Sequence, residues 1–333
     1  MKVGVFLGSQ HPPEADIRHE FANSVELTRA VRDSGFDSLW LGQHYLTYPY
    51  QFLQTTPLLA RLAAETGDMI IGTNMILLPL FNIVDIAEQY ATMDVISGGR
   101  LVLGVGLGYR EIEFEALNAD RKTRAPRFEE QINALKLLWE EDEATFEGEY
   151  VRFKNLSIRP KPLQDPRPEI WIGAAADVAI KRAARMGDAW AGTSVTTLGE
   201  IKRQLPIYHQ ARKDAGLPPP KEIARNVEVF VAETREKAWK DGGHYIAKKF
   251  ESYFSWGMDK NTGDKGHAEM SLQDLAEDRF IVGNPEDCVR GCLEHRDAGI
   301  THLQIRLNFP GIPHGSVMDA IKLFGKEVLP HLR

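Results

Sequence analysis

Apolar residues in this chain follow two alternating patterns from one end to the other. Short runs of apolar and β-branched residues, such as KVGVFLG near the start, are typical of strands buried on both faces. Longer segments between them carry apolar residues three or four positions apart, as in Phe128, Ile132, Leu135 and Leu138, and predict amphipathic helices. Turn residues mark the boundaries, and Gly35, for example, follows the first predicted helix.

The two patterns together predict a repeating strand–helix unit. The predicted strands are residues 2–8, 38–43, 69–78, 100–107, 169–172, 188–192, 226–232 and 301–307. The predicted helices are residues 16–34, 57–66, 83–97, 126–141, 177–186, 198–215, 285–298 and a last helix that ends near residue 329. Strands that alternate with helices form parallel sheets, and eight such units favour a (β/α)8 TIM barrel over an open doubly wound sheet. We therefore expect a single barrel domain over residues 1–333, with insertions at about 143–168, after helix 4, and about 240–280, after strand 7.

A glycine-rich stretch, DVISGGRLVLGVGLGYREIEFEALN, covers the fourth predicted strand and the residues on either side of it. A dinucleotide-binding loop needs Gly-x-Gly-x-x-Gly directly before a helix, but here Tyr109 stands where the third glycine belongs. Gly104, Gly106 and Gly108 are instead two residues apart, so on a strand they face the same side. The missing side chains would let a flat ligand lie against the backbone at the carboxyl end of the strand. The alternative is that these glycines relieve crowding in the barrel core.

Composition narrows the classes of function. The chain has 333 residues, a formal net charge of −7 and no basic block, which argues against a nucleic-acid partner. No apolar run reaches the roughly 20 residues that span a bilayer. Two cysteines are too few for a disulfide framework, so we expect a reduced, cytoplasmic enzyme. Cys288, Cys292 and His295 share a helix face, but a structural zinc site needs four ligands, so we expect buried cysteines and no metal.

Four segments of the chain resemble motifs of the bacterial luciferase-like, flavin-dependent monooxygenase family. The glycine-rich stretch is the first of them. The others agree in order along the chain: SGFDSLWLGQHYL with the second-strand motif, IIGTNMILLP with the third strand, and RPEIWIGAAADVAIKRAARMGDAW with the fifth strand, its phosphate-binding turn and the next helix. The resemblance extends over nearly the whole chain. It implies a (β/α)8 fold that binds a reduced flavin or deazaflavin at the carboxyl ends of the strands.

The same resemblance implies a choice between functions. Most members are similar to two-component monooxygenases, in which a separate flavin reductase supplies reduced FMN and O2 oxidises a small organic substrate. One branch uses coenzyme F420 for hydride transfer without oxygen. We predict the FMN-dependent monooxygenase, with the F420-dependent oxidoreductase as the alternative. A third hypothesis is a flavin-binding protein without turnover. A histidine at the mouth of the barrel argues against it. The family also implies a homodimer.

His44 is the predicted catalytic residue. It ends the second strand, matches the catalytic histidine of the family, and can exchange a proton near neutral pH. Gln43 stands where the family often has an acid, so the sequence offers no charge partner for the imidazole. Thr73, Asn74 and Met75 end the third strand, where the family often supports the flavin ring with a cis peptide bond. The resemblance places that bond between Asn74 and Met75.

The remaining cofactor residues are predicted along the next three strands. The fourth strand is expected to contribute Gly106, Gly108 and Tyr109 beside the ring. The turn Gly173, Ala174, Ala175 and Ala176 joins a strand to a helix and suits a phosphate, since its small residues and the helix N-terminus expose backbone N–H groups. The alternative there is a plain turn capped by Asp177. Gly192 and Thr193 end the sixth strand and are expected to add donors. Arg110 is the candidate phosphate arginine, because Leu107 stands where some luciferases carry one.

Substrate contacts are predicted from positions at the same rim. His11 follows the first strand, and Arg306 and Asn308 lie at the end of the eighth, where they are candidates to hold a polar group of the substrate. Residues 244–270 are rich in aromatic residues, then in glycine and charge, and are expected to form a lid that covers the flavin and sets substrate selectivity. The alternative is a surface subdomain that does not gate the site.

Overall fold

A closed ring of parallel strands forms the centre of the computed structural model, which describes residues 1–257 and 272–333. The strands of the ring are β1 (Lys2–Leu7), β2 (Ser38–Leu41), β3 (Ile70–Thr73), β4 (Leu101–Gly106), β5 (Glu169–Gly173), β6 (Ala189–Gly192), β7 (Ile223–Val231) and β8 (His302–Arg306). Each strand pairs in parallel with its neighbours, and β8 pairs with β1 to close the ring. The predicted (β/α)8 barrel is confirmed.

Helices surround this ring. They are α1 (Ile17–Asp33), α2 (Thr55–Ala63), α3 (Ile83–Ser97), α4 (Arg124–Glu140), α5 (Asp177–Met186), α6 (Leu198–Asp214), α7 (Pro285–Asp297) and α8 (His314–Glu327). Side chains of Asp16, Asn82 and Thr197 accept hydrogen bonds from the first-turn N–H groups of α1, α3 and α6, and Asn284 forms a capping box with Asp287. Short polar residues directly before each apolar repeat therefore start these helices.

Smaller elements interrupt the alternation. An antiparallel hairpin, Ala144–Glu147 with Arg152–Leu156, lies in the first predicted insertion. After β7 comes a helix over His244–Ser255, here called the insertion helix, and the strand Phe280–Gly283 pairs with β7 beside the ring. Residues 258–271 of the second predicted insertion lie outside the described residues.

The interior of the ring is filled by large side chains below its mouth. Trp40 and Trp171 stack with ring centroids 4.8 Å apart. Gly72 makes room for them, because a Cβ there would overlap the Trp40 ring. The Trp40 indole N–H donates to Ser38 Oγ at 2.7 Å, and Ser38 Oγ lies 2.7 Å from His302 Nε2. The lower barrel is therefore packed, and open space is left at the carboxyl ends of the strands.

The two cysteines belong to the layer between the ring and α7. Both are fully buried, and burial raises the pKa of the Cys288 thiol to about 12. His295 lies 2.8 Å from an Arg225 nitrogen and 2.7 Å from the Gly291 carbonyl oxygen.

Among the described residues, no helix has both the length and the apolar character needed to cross a bilayer.

Candidate active site

A cavity of about 600 Å³ opens at the carboxyl ends of the barrel strands. Pockets for small ligands commonly have roughly 300–1,000 Å³. The sequence-predicted residues that line it are His44, Asn74, Met75, Gly106, Gly108, Tyr109, Gly173, Ala174, Ala175, Ala176, Gly192, Thr193 and Arg306. The structure thus brings together residues from six of the eight strand ends, β2 to β6 and β8, as active sites of this fold require.

His44 is held by a carboxylate that the sequence did not suggest. Its Nδ1 lies 3.0 Å from Oε1 of Glu113, whose side chain is fully buried in the short helix Glu111–Ala116. The same oxygen accepts the N–H of Tyr45 at 2.9 Å and a guanidinium N–H of Arg110 at 3.3 Å. Because a carboxylate only accepts, it fixes the proton of the neutral imidazole on Nδ1. Nε2 is then the basic atom, and it has no hydrogen bond to any described residue.

Arg110 therefore serves a different part of the site from the one expected. Its guanidinium also donates to the Tyr45 and Leu46 carbonyl oxygens and lies 4.3 Å from the centre of the Trp256 ring. These contacts tie it to the loop after His44. The structure does not support Arg110 as the phosphate arginine, because its donors already bond Glu113 and the carbonyl oxygens of Tyr45 and Leu46.

Aromatic rings enclose the His44 imidazole. Ring centroids of Tyr109, Tyr253 and Trp256 lie 5.7, 5.6 and 5.3 Å from it, all edge-on, and Phe52 lies at 6.1 Å. Burial raises the pKa of the Tyr109 hydroxyl well above its ordinary value, so this group stays neutral. Such a wall excludes water from the base and strengthens its polar interactions.

Two of those rings come from the segment predicted to be a lid. Tyr253 lies in the insertion helix and Trp256 directly follows it, and Tyr253 and Lys249 line the cavity. The described part of the segment thus borders the site. The remainder of the predicted lid, residues 258–270, lies outside the described residues.

Met75 forms the floor of the cavity beneath the predicted flavin ring. The peptide bond between Asn74 and Met75 is cis, as the resemblance implied. A Cβ on Gly173 would lie 2.9 Å from Met75 Cγ, one on Gly106 would lie 3.3 Å from Met75 Cβ, and one on Gly104 would overlap the Thr73 carbonyl oxygen. Gly106 therefore borders the cavity, whereas Gly104 has no room for a side chain in the core. Thr73 lies behind the floor, since its hydroxyl bonds the Gly104 backbone.

The turn before α5 is arranged to expose N–H groups. Its carbonyl oxygens are held from behind, that of Ala174 by the Trp190 indole at 2.9 Å and that of Ala175 by Gln204 at 2.7 Å. The N–H groups of Ala175 and Ala176 bond no described residue. Asp177 does not oppose an anion here, because its carboxylate turns away to Arg203 at 2.6 Å. The helix N-terminus thus offers free donors to an anion.

Cations that the sequence analysis missed surround this turn. Arg121, Lys122, Arg124 and Arg182 line the cavity beside it. Arg121 and Arg182 are paired with Glu111 at 2.8 Å and Glu129 at 2.6 Å. Arg124 forms no ion pair with a described carboxylate, and burial, followed by the charges of Arg121 and Arg182, lowers its pKa. The signal was present in the sequence RKTRAP, three cations within four residues at the start of α4.

Three predicted residues do not reach the cavity. Thr73 lies behind its floor. Asn308 bonds the Gly8 backbone through both its side-chain oxygen (2.7 Å) and nitrogen (3.1 Å), and so fastens β8 to β1. His11 faces a separate small cavity, where its Nδ1 lies 3.2 Å from Glu20 and burial lowers its pKa. The sequence places His11 and Asn308 at the correct rim, but their side chains turn outward.

The chain has relatives of two chemical kinds. The family model described as luciferase-like monooxygenase matches residues 1–302. An F420-dependent glucose-6-phosphate dehydrogenase of Amycolatopsis mediterranei is 26% identical over 93% of this chain and 94% of its own. An FMNH(2)-dependent dimethylsulfone monooxygenase of Pseudomonas putida is 30% identical over 74% of this chain and 70% of its own. Among solved structures, the monooxygenase RslO1 from Streptomyces bottropensis superposes with a TM-score of 0.88 at 23% identity, with full coverage of both chains.

Proposed function

Because this chain belongs to the luciferase-like monooxygenase family, we propose that it uses reduced FMN and O2 to oxygenate a small organic substrate. One observation carries the proposal: a single cavity contains an anion-binding turn, a floor free of polar side chains and a histidine base enclosed by aromatic rings. A separate reductase would supply the reduced flavin. The exposed Val95 and Ile96 on α3 suit a homodimer through the helices beside β2 and β3.

The residues present fit FMN. The free N–H groups of Ala175 and Ala176, with Arg124 beside them, suit one terminal phosphate. Met75 and the backbone at Gly106 suit the face of a planar ring, since they present an apolar surface without bulky projections. Bound there, reduced FMN would supply the electrons that activate O2. Asp177 does not oppose a phosphate at this turn, because both it and Glu200 are paired with Arg203.

His44 would transfer a proton to or from the reacting group of the substrate. Its Nε2 accepts or returns a proton, while Glu113 stabilises the imidazolium that forms and keeps the ring in one orientation. Arg110 holds Glu113 in place and offsets its buried charge. The aromatic enclosure of Tyr109, Tyr253 and Trp256 keeps water from competing for the same proton.

The second candidate is F420-dependent hydride transfer. The His44–Glu113 pair favours it, because a neutral imidazole oriented by a carboxylate is suited to accept the hydroxyl proton of an alcohol that is being oxidised. The Amycolatopsis relative is named for this chemistry.

Oxygen uptake distinguishes the two candidates. In one arm the purified protein would be given reduced FMN, a reductase and O2, and O2 consumption and oxygenated product would be followed over a panel of small substrates. In the other arm it would be given oxidised F420 and candidate alcohols without O2, and reduction of F420 would be followed. We expect product-coupled uptake with FMN, lost in His44→Ala and retained in a control variant of the exposed His209, His209→Ala. Anaerobic oxidation of an alcohol with F420 and no coupled uptake with FMN would overturn the proposal in favour of the second candidate.

A further inference from the structure

Arg306 carries a buried charge that the protein itself does not satisfy. It ends β8, lines the cavity and is only 4% exposed. Its guanidinium carbon lies 4.7 Å from the centre of the Phe6 ring, and Gly8 leaves space for it, since a Cβ there would lie 3.0 Å from Nη2. No described residue forms a hydrogen bond or ion pair with it, and Nε is buried without a partner. Buried guanidinium groups are normally paired, so this one points to a ligand.

The charges next to Arg306 do not neutralise it. Glu228 on β7 is in register with Arg306, but its Oε1 lies 2.5 Å from Lys249 Nζ, and both of those side chains are almost fully buried. Glu228 is therefore paired with Lys249, and the positive charge of Arg306 has no carboxylate partner among the described residues. A bound anion would remove the cost of that unpaired charge.

A hydroxyl completes the arrangement. Ser9, just after β1, lines the same cavity, is 2% exposed, and its Oγ has no hydrogen-bond partner among the described residues. Phe6 from the same strand supplies an apolar surface below it. A fork of guanidinium N–H groups with an adjacent O–H is the donor set that carboxylates and sulfonates prefer.

This group of residues is distinct from the turn before α5. In the closed ring β1 lies opposite β5, and β8 is its neighbour, so Arg306 and Ser9 lie across the mouth from Ala175 and Arg124. His44 lies in the loop after β2, on the other side of β1 from Arg306, and lines the same cavity. An anion held by Arg306 would therefore share the space that the histidine faces.

We propose that Arg306 and Ser9, beside the Lys249–Glu228 pair, bind the substrate of this enzyme as a small organic anion, a carboxylate or a sulfonate. The apolar part of that substrate packs against Phe6 and the rings around His44. This inference rests on the proposed function, because it assigns the substrate class of the same cavity.

Binding of probe anions to the flavin-free protein tests the proposal. Butyrate and 1-butanesulfonate would be compared by calorimetry with butyramide, which has nearly the same shape as butyrate but no charge. We expect the wild type to bind an anion at least about tenfold more tightly than butyramide, from charge-assisted hydrogen bonds. Arg306→Met should abolish that preference, Arg306→Lys should keep part of it, and Ser9→Ala should weaken it. Arg152→Met, exposed on the hairpin, should leave the affinity for the anion within about twofold.

Other outcomes would overturn the proposal. Equal affinity for butyrate and butyramide would show that the cavity does not select an anion. Loss of anion binding in Arg124→Met but not in Arg306→Met would place the anion at the turn before α5. If Arg306→Met spared anion binding but weakened the binding of reduced FMN, Arg306 would serve the cofactor instead. Since no flavin is present in the anion titration, its result is independent of whether FMN supports oxygen uptake.

Discussion

Three donors converge on one oxygen of a carboxylate that has no exposed surface. His44 Nδ1, the Tyr45 N–H and Arg110 all contact Oε1 of Glu113, while Oε2 has no partner among the described residues. These contacts fix the tautomer and the orientation of the His44 imidazole, and they leave its Nε2 facing the cavity. Glu113 is a positioning residue, since it acts on the reacting groups only through His44.

Removing the charge of Glu113 should impair turnover more than binding. We expect Glu113→Gln to lower kcat by about 10- to 100-fold, because general-base catalysis is worth roughly that much when orientation is kept only in part. FMN affinity should change less than about threefold, since Glu113 lies away from the turn before α5. Steady-state kinetics and flavin titration would be compared with Glu115→Gln, an exposed neighbour on the same short helix. A normal kcat in Glu113→Gln would show that His44 needs no carboxylate.

The free guanidinium of Arg124 should determine how tightly the cofactor phosphate is held. Arg124→Met is expected to weaken FMN binding by about tenfold, which corresponds to the loss of one charge-assisted hydrogen bond. The effect should shrink at high salt, because part of it is long-range attraction to the phosphate. Fluorescence titration with FMN at two salt concentrations measures both effects. Arg152→Met, exposed on the hairpin, is the control, and equal affinities in all three proteins would contradict the assignment.

The two glycines of β4, Gly104 and Gly106, have different structural roles although both face the same side of the strand. A methyl group on Gly104 would overlap the Thr73 carbonyl oxygen of the neighbouring strand, which cannot move without breaking the ring. A methyl group on Gly106 would lie 3.3 Å from Met75 Cβ and 3.5 Å from its Cγ, which needs a much smaller adjustment than the overlap at Gly104. The first glycine is needed for packing and the second for the shape of the cavity.

Alanine substitution should separate these roles. Gly104→Ala is expected to lower the free energy of unfolding by about 1–3 kcal/mol through overpacking. Gly106→Ala should cost less than about 1 kcal/mol in stability, because its contact with Met75 is tight but does not overlap backbone. Urea-unfolding curves provide the comparison, and each variant is the control for the other. Equal losses of stability would mean that both positions belong to the packed core.

Strand and helix positions followed from the sequence because each apolar pattern is local. His44, Met75, Gly106 and the turn before α5 lie at strand ends, so the barrel topology alone brings them together. Glu113, Arg124 and Lys249 could not be placed in this way. They come from connections between strands and helices, whose paths depend on contacts such as that of Glu113 with the Tyr45 N–H rather than on any periodicity.

The stability of the whole protein against acid depends on His302, which is buried inside the ring of strands. Ser38 receives the Trp40 indole N–H, so its hydroxyl can donate to His302 Nε2, which must stay unprotonated. Burial lowers the pKa of His302 to about 4 from 6.5, and burial likewise lowers that of His295 to about 3. As the pH falls below 6.5, the unfolded chain takes up these protons before the folded protein does. The stability is thus complete above pH 6.5 and is lost as the pH falls towards 4.

This linkage predicts a measurable slope. The contribution of His302 is about 3 kcal/mol, so the free energy of unfolding should fall by at least about that amount between pH 6.5 and 4. His302→Gln should fall less over the same interval, since glutamine has no proton to take up and His295 remains. Urea unfolding at several pH values, with His209→Ala as the exposed-histidine control, gives the comparison. Identical slopes in His302→Gln and the wild type would rule out this source of acid sensitivity.

One thioether sits against backbone from two strands, over Gly104 and Gly106 of β4 and Gly173 of β5. The height of the cavity floor therefore depends on the single side chain of Met75, although the three glycines must stay small to make room for it. Exchanging Met75 for a shorter or a branched residue would deepen or tilt the platform without moving the barrel. A single substitution at Met75 would therefore adapt the cavity to a heterocycle of different thickness. His44 and the anion-binding rim would stay in place.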